Sequence, residues 1–140
     1  MTNRRQFLQG AVGAAGLVGL HAAGMLGTAK AAEVKPASKK LKLLFLGGTG
    51  FIGPHQIEHA LARGHEVTMF NRGSKPNMYG DRVEELIGNR DANIDDGLKA
   101  LEGNREWDVV IDNSGYVTRH VRDSVELMKK RCGRYIYIST

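Results

Sequence analysis

The chain has 140 residues, 41% hydrophobic and 25% charged, which sets one domain as the expectation and excludes a disordered tail or a fibre. Its single cysteine, Cys132, excludes an intrachain disulfide and a thiolate metal cluster. The formal charge is +5, but setting aside Arg4, Arg5 and Lys30 leaves 17 basic against 15 acidic residues, a balance of +2 and no argument for a nucleic-acid partner.

Residues 1–31 read as an address. A polar, positive start carries Arg4-Arg5. Residues 10–27 hold six glycines, many alanines, and only Val12, Leu17, Val18, Leu20, Met25 and Leu26 as larger apolar groups. Ala29-Lys30-Ala31 puts small residues where a signal peptidase needs them. This is the three-part layout of a secretory signal. Asn3-Arg4-Arg5-Gln6-Phe7-Leu8-Gln9 resembles the twin-arginine export motif, with Gln9 where a lysine is common. The resemblance implies the twin-arginine export machinery as a partner, export in the folded state with cofactor aboard, and a periplasmic or extracellular destination. The alternative is a retained anchor. The glycines and His21 make residues 10–27 a poor span, so no stable membrane span is expected after cleavage. Residues 32–40, with Pro36, Ser38 and several lysines, read as a linker.

From residue 41 to residue 140 the pattern alternates between strand and helix. Leu41-Lys42-Leu43-Leu44-Phe45-Leu46 is a nearly continuous apolar run, the mark of a strand buried on both faces. Pro54 fits a helix start, Ile57, Ala60 and Leu61 give its stripe, and Gly64 its stop. Residues 66–70 predict a second strand, 71–80 a loop and 83–87 a third strand. Residues 95–101 predict a helix and 107–111 a fourth strand. Residues 118–131 predict another helix and 135–139 a fifth strand. Such alternation means an α/β fold, a parallel sheet with helices on both faces.

Gly47-Gly48-Thr49-Gly50-Phe51-Ile52-Gly53 lies between the first strand and the first helix, with Gly47, Gly50 and Gly53 three apart. A tight turn, a pyrophosphate approaching bare backbone and close helix–strand packing each require glycine there. The helix N-terminus adds unpaired N–H groups and partial positive charge. The fold expected is therefore a Rossmann-type doubly wound sheet, incomplete at its C-terminal side. At the end of the second strand stands Phe70-Asn71-Arg72-Gly73, with no carboxylate for a ribose 2′-hydroxyl. Arg72 can pair with a 2′-phosphate, which favours NADP, with NAD as the alternative cofactor.

The glycine loop resembles that of the NAD-dependent epimerase/dehydratase family, within the extended short-chain dehydrogenase/reductase superfamily. Gly64-His65-Glu66-Val67-Thr68 and Asn71-Arg72-Gly73 resemble an atypical branch. Trp107-Asp108-Val109-Val110-Ile111-Asp112-Asn113 and Arg134-Tyr135-Ile136-Tyr137-Ile138-Ser139-Thr140 resemble its fourth and fifth strands. The resemblance implies that Gly47, Gly50 and Gly53 line the pyrophosphate, with Phe51 and Ile52 flanking it. It places Asn71 and Arg72 on the adenosine side. Asn89 stands where the family often has an aspartate near the adenine. Asn113 and Ser114 would pass the nicotinamide-side ribose, and Thr140 falls at the position of the catalytic Ser/Thr. The implied substrate is a sugar, a nucleotide sugar or another small alcohol or carbonyl compound. A homodimer is allowed.

The family's reaction also needs a tyrosine with a lysine four residues later, which lowers the phenol's pKa. Here Tyr79 is followed at that distance by Val83, Tyr116 by His120 and Tyr135 by Ser139, and Tyr137 has no residue there. The expectation is an N-terminal part of a longer enzyme, supplying nucleotide binding and inactive alone. The alternative is a non-catalytic NAD(P)-binding sensor or partner-binding protein. Free NADP is scarce outside the cytoplasm, so an exported enzyme should hold its cofactor tightly and recycle the hydride internally. Among other residues, His55 and His59 read as a solvated helix face and not a metal pair. Cys132 reads as packing at a helix end, Lys129-Lys130-Arg131 as a complement to a helix dipole, and Trp107 as core. Asp112 reads either as an orienting group or as a turn cap.

Overall fold

The computed structural model describes residues 34–139. The address at residues 1–31, the first two linker residues and Thr140 lie outside them. Five parallel strands form one sheet in the order β3-β2-β1-β4-β5. They are β1 (Lys42–Leu46), β2 (Glu66–Asn71), β3 (Glu84–Ile87), β4 (Trp107–Asp112) and β5 (Cys132–Tyr137). Helix α1 (Gly53–Ala62) carries the chain from β1 to β2, and α2 (Thr118–Met128) from β4 to β5.

Strand β1 shows why the sheet has two cores. Leu43 and Phe45 point to the α1 side and pack with Ile57, Ala60, Val67 and Met69. Leu44 and Leu46 point the other way, into Phe70, Trp107, Val110 and Met128. The period of two distributes one apolar run over both faces. Trp107 is core, as expected, and its indole N–H donates to Thr68 Oγ1 at 3.3 Å. After β3 the chain crosses to the far side of β1 and begins β4. The reversal opens a crevice beyond the carboxyl ends of β1 and β4, where open α/β sheets bind ligands. At the β5 edge Ile136 and Tyr137 stay exposed, as in a sheet incomplete on that side. Among the described residues no helix is long and apolar enough to cross a membrane.

Several boundaries differ from the sequence reading. The helix expected over 95–101 is reduced to a 3-10 turn at Lys99–Leu101. Asp95 and Gly97 have φ of +53° and +49°, the left-handed region, and a right-handed helix cannot pass through them. Helix α2 ends at Met128 and not at residue 131. Arg131 instead turns toward the sheet, its carbonyl accepting from the Trp107 N–H at 2.9 Å. Strand β5 therefore starts at Cys132, and not at residue 135, and pairs with Trp107. Cys132 sits in that strand, not at a helix end, half-buried against the α2-side core. Its edge position leaves little apolar pattern in the first residues, which is why they escaped the periodicity.

Candidate functional site

The crevice is a cleft of about 560 Å³. It is lined by the glycine loop, the ends of β2, β3, β4 and β5, and the first turn of α2. Gly47, Gly50, Phe51, Ile52, Gly53, Asn71, Arg72, Asn89, Asn113 and Ser114 all line it. Thr140 lies outside the described residues.

The loop is held by contacts that exclude side chains. Gly47 has φ +86°, and a Cβ on it would lie 2.8 Å from Ser114 Cβ. A Cβ on Gly48 would strike Met69 Sδ at 2.5 Å. One on Gly53 would strike the Gly48 carbonyl at 2.5 Å, so α1 packs backbone to backbone on the loop. Gly50 alone of the four meets nothing within 4 Å, and it faces the cleft. The Gly48 carbonyl also accepts from the buried Tyr79 hydroxyl at 2.9 Å. Burial pushes that phenol up, with Glu58 adding to the effect, so it remains a donor. The α1 N-terminus has no side-chain cap; Pro54 carries no N–H and the Gln56 N–H goes to the Ile52 carbonyl at 3.2 Å, which leaves the Gly53 and His55 N–H groups for a ligand.

The asparagines hold the walls. Asn71 donates to Glu85 Oε1 at 2.8 Å and accepts from the Gly73 N–H, which fixes its amide at the wall with one N–H to spare. Asn89 accepts from the Asp91 N–H at 3.0 Å. Asn113 donates to the Gly47 carbonyl at 3.2 Å and to Gln56 Oε1 at 2.6 Å, and Ser114 donates to the Leu46 carbonyl at 3.1 Å. Arg72 is exposed at the rim. Phe51 is 96% exposed at the loop's tip.

Beneath the cleft lies a polar cluster that sequence reasoning missed. Asp112, fully buried, takes Arg90 Nη2 at 2.6 Å, the Tyr135 hydroxyl at 2.6 Å and the Ser114 N–H at 3.0 Å. It is thus both an orienting group and a turn cap. Burial, then the bond to Asp112, pushes the Tyr135 phenol far up and keeps it a donor. Arg90 also donates to Ser124 Oγ and to the His120 carbonyl. Beside it Asp91 pairs with Arg119, and the Arg119 guanidinium holds its carboxyl down at about 2. The signal for Arg90 is weak, since an arginine after a strand end looks solvated. Its partner comes 22 residues later, and only the fold joins them.

The cleft suits a polar ligand. Among the described residues, the buried side-chain nitrogens and oxygens without a partner are Arg90 Nε, Asn113 Oδ1 and both ring nitrogens of His120. All three residues line the cleft. Buried orphans of this kind call for a ligand or water. Among the described residues no group of three His, Cys, Asp or Glu side chains could hold a metal ion, and His55 and His59 are exposed.

Comparison with known proteins agrees in outline. The model of the NAD dependent epimerase/dehydratase family matches residues 43–134. Bifunctional pinoresinol-lariciresinol reductase 3 of Thuja plicata is 32% identical over 100 residues, covering 65% of this chain and 32% of the reductase. The chloroplast stem-loop binding protein of 41 kDa b of Arabidopsis thaliana is 31% identical over 127 residues, covering 79% of this chain and 32% of that protein. The Bordetella bronchiseptica enzyme WbmG, solved in complex with NAD, shares the fold with a TM-score of 0.57 at 16% identity. That match covers 73% of this chain and 38% of WbmG. The chain thus spans 32% of the length of each of the two sequence relatives.

Proposed function

Since the chain belongs to the NAD-dependent epimerase/dehydratase family, we propose that it is the dinucleotide-binding part of an NAD(P)-dependent oxidoreductase or epimerase. The observation that carries this reading is the glycine loop, locked by its neighbours at Gly47, Gly48 and Gly53 and open at Gly50. The bare backbone at Gly50 and the uncapped N-terminus of α1 would hold the pyrophosphate. Asn71 and Arg72 would hold the adenosine side, and Asn113 and Ser114 the nicotinamide-side ribose. When bound, nicotinamide supplies hydride chemistry, while the protein supplies position and the exclusion of water. Thr140 would hydrogen-bond the reacting oxygen. The substrate is a sugar, a nucleotide sugar or another small alcohol or carbonyl compound, and the relative named as a reductase supports a reductive reaction.

Arg72, exposed at the cleft rim with no carboxylate beside it at the β2 end, favours NADP. The test is a titration with NADPH and with NADH, read by the fluorescence of the reduced nicotinamide. NADPH should bind about tenfold more tightly, and Arg72→Ala should erase the difference. Tighter binding of NADH overturns the NADP assignment, and binding of neither overturns the dinucleotide reading.

Export belongs to the same proposal. The Arg4-Arg5 signal would deliver the folded protein, cofactor aboard, to the periplasm or beyond. A second reading, a non-catalytic NAD(P)-binding sensor or partner-binding protein, draws on the stem-loop binding relative. Nicotinamide turnover by the full-length protein, lost on substitution of Thr140, excludes it.

A further inference from the structure

We propose that Tyr79, which is not part of the cleft lining, is a positioning residue for the diphosphate: its hydroxyl keeps the Gly48 carbonyl turned away from the ligand and so sets the backbone face of the glycine loop. The inference rests on the dinucleotide reading and adds to it a residue from the segment between β2 and β3.

The Tyr79 ring belongs to the α1-side core, with Ile57, Met69 and Val83, and the residue is 6% exposed. A phenylalanine would fill the same space. The hydroxyl does something the ring does not. It reaches a residue 31 positions earlier and donates to the Gly48 carbonyl at 2.9 Å. The donor is delivered to a fixed point. The Tyr79 carbonyl accepts from Arg82 Nε at 3.3 Å, and Arg82 forks onto the Glu58 carboxylate of α1 at 2.9 and 2.7 Å. The helix whose N-terminus would face the diphosphate therefore also anchors the residue that holds the loop before it.

The bond decides the direction of one peptide plane. In a trans peptide the carbonyl and the following N–H point opposite ways. With the Gly48 carbonyl turned onto Tyr79, the Thr49 N–H turns away from that core, and Thr49 lines the cleft. Among the described residues no backbone acceptor takes this N–H. An N–H facing phosphate oxygens attracts them, whereas a carbonyl in its place repels them. Glycine at position 48 leaves the plane free of side-chain restraint, so the hydroxyl is what holds it. Without that donor a buried carbonyl is left unpaired, and turning it toward the open cleft relieves the cost. Lys75 Nζ, on the same segment, reaches the next carbonyl, that of Thr49, at 3.3 Å from the exposed side.

The experiment sets two ligands against three proteins. The ligands are the reduced dinucleotide that wild type binds more tightly and its adenosine half without a diphosphate: adenosine 2′-monophosphate for NADPH, adenosine for NADH. The proteins are wild type, Tyr79→Phe, and Val83→Ala, which thins the same core but keeps the hydroxyl. A thermal melt of each shows folding. Tyr79→Phe should weaken the dinucleotide about tenfold, the size of one hydrogen bond, and leave the adenosine ligand within about twofold. Val83→Ala should lower the melting temperature and weaken neither ligand beyond about twofold. Equal weakening of both ligands by Tyr79→Phe, or of neither, overturns the proposal. So does a Val83→Ala variant that loses the dinucleotide as Tyr79→Phe does, because a loosened core then explains the loss. A Tyr79→Phe variant that does not fold assigns the hydroxyl to the core and overturns it too. A wild type that binds neither NADPH nor NADH overturns the dinucleotide reading itself, and this inference with it.

Discussion

A methyl group added at Gly50 would point into open cleft, whereas one added at Gly53 would strike the Gly48 carbonyl at 2.5 Å. The two glycines stand three residues apart in one motif, yet they answer to different demands. Gly53 lets α1 press on the loop, and Gly50 leaves room for a ligand. Gly53→Ala should cost about 1–3 kcal/mol of stability, as overpacking does. Gly50→Ala should change stability by no more than about 0.5 kcal/mol and weaken nucleotide binding roughly a hundredfold, by displacing the diphosphate from its seat. Chemical denaturation and nucleotide titration of both variants separate the roles. Normal binding by Gly50→Ala would move the diphosphate away from this loop. The spacing of the glycines was legible in the sequence because three of them recur at a fixed interval after an apolar strand. Which of them faces the ligand was not, because that depends on Ser114, Met69 and Ile57, side chains from other elements.

The elements around the cleft are tied by charge as well as by apolar packing. Asp91, in the loop after β3, accepts from Arg119 Nε at 3.1 Å and from the Asn93 N–H at 3.1 Å. The first bond joins that loop to the first turn of α2. The Arg119 guanidinium, and next the Asn93 N–H, hold the Asp91 carboxyl down at about 2. A carboxyl lowered in the folded state binds its proton more readily when unfolded. Its contribution to stability is therefore fully present above the ordinary value of about 3.9 and is lost as pH falls through about 2. Asp91→Asn should flatten the fall in stability across that window and leave the slope above pH 5 unchanged, as urea unfolding at a series of pH values will show. An unchanged slope between pH 4 and 2 would mean that the pair does not form in solution. None of this was legible beforehand, since Asp91 and Arg119 are 28 residues apart and residues 95–101 between them read as a helix. The left-handed backbone at Asp95 and Gly97 bends the segment into a loop instead. That loop returns the Gly97 carbonyl to the Asn89 N–H at 2.9 Å, beside the cleft.

At the scale of the whole molecule, the parallel doubly wound sheet and its nucleotide turn follow from features that sequence displays well. These are a doubly buried first strand, a glycine turn and the alternation after it. The floor of the crevice does not, because Arg90, Asp112, Ser124 and Tyr135 come from separate elements and meet only in the folded sheet. A site of this kind assembles with the fold, so its ligand can load only onto folded protein. That requirement suits the proposed export route, which carries folded cargo, and it makes a joint expectation. Protein recovered from the periplasm should already carry nucleotide, near one per chain by chromatography of the released ligand. Replacing Arg4-Arg5 with two lysines should leave the loaded precursor in the cytoplasm. Periplasmic protein that emerges empty and binds nucleotide weakly would break the link between export and internal hydride recycling. Export that survives the two lysines would assign the signal to another route. Full loading with blocked export would support both halves, because a cofactor scarce outside the cytoplasm must then have crossed inside the folded protein.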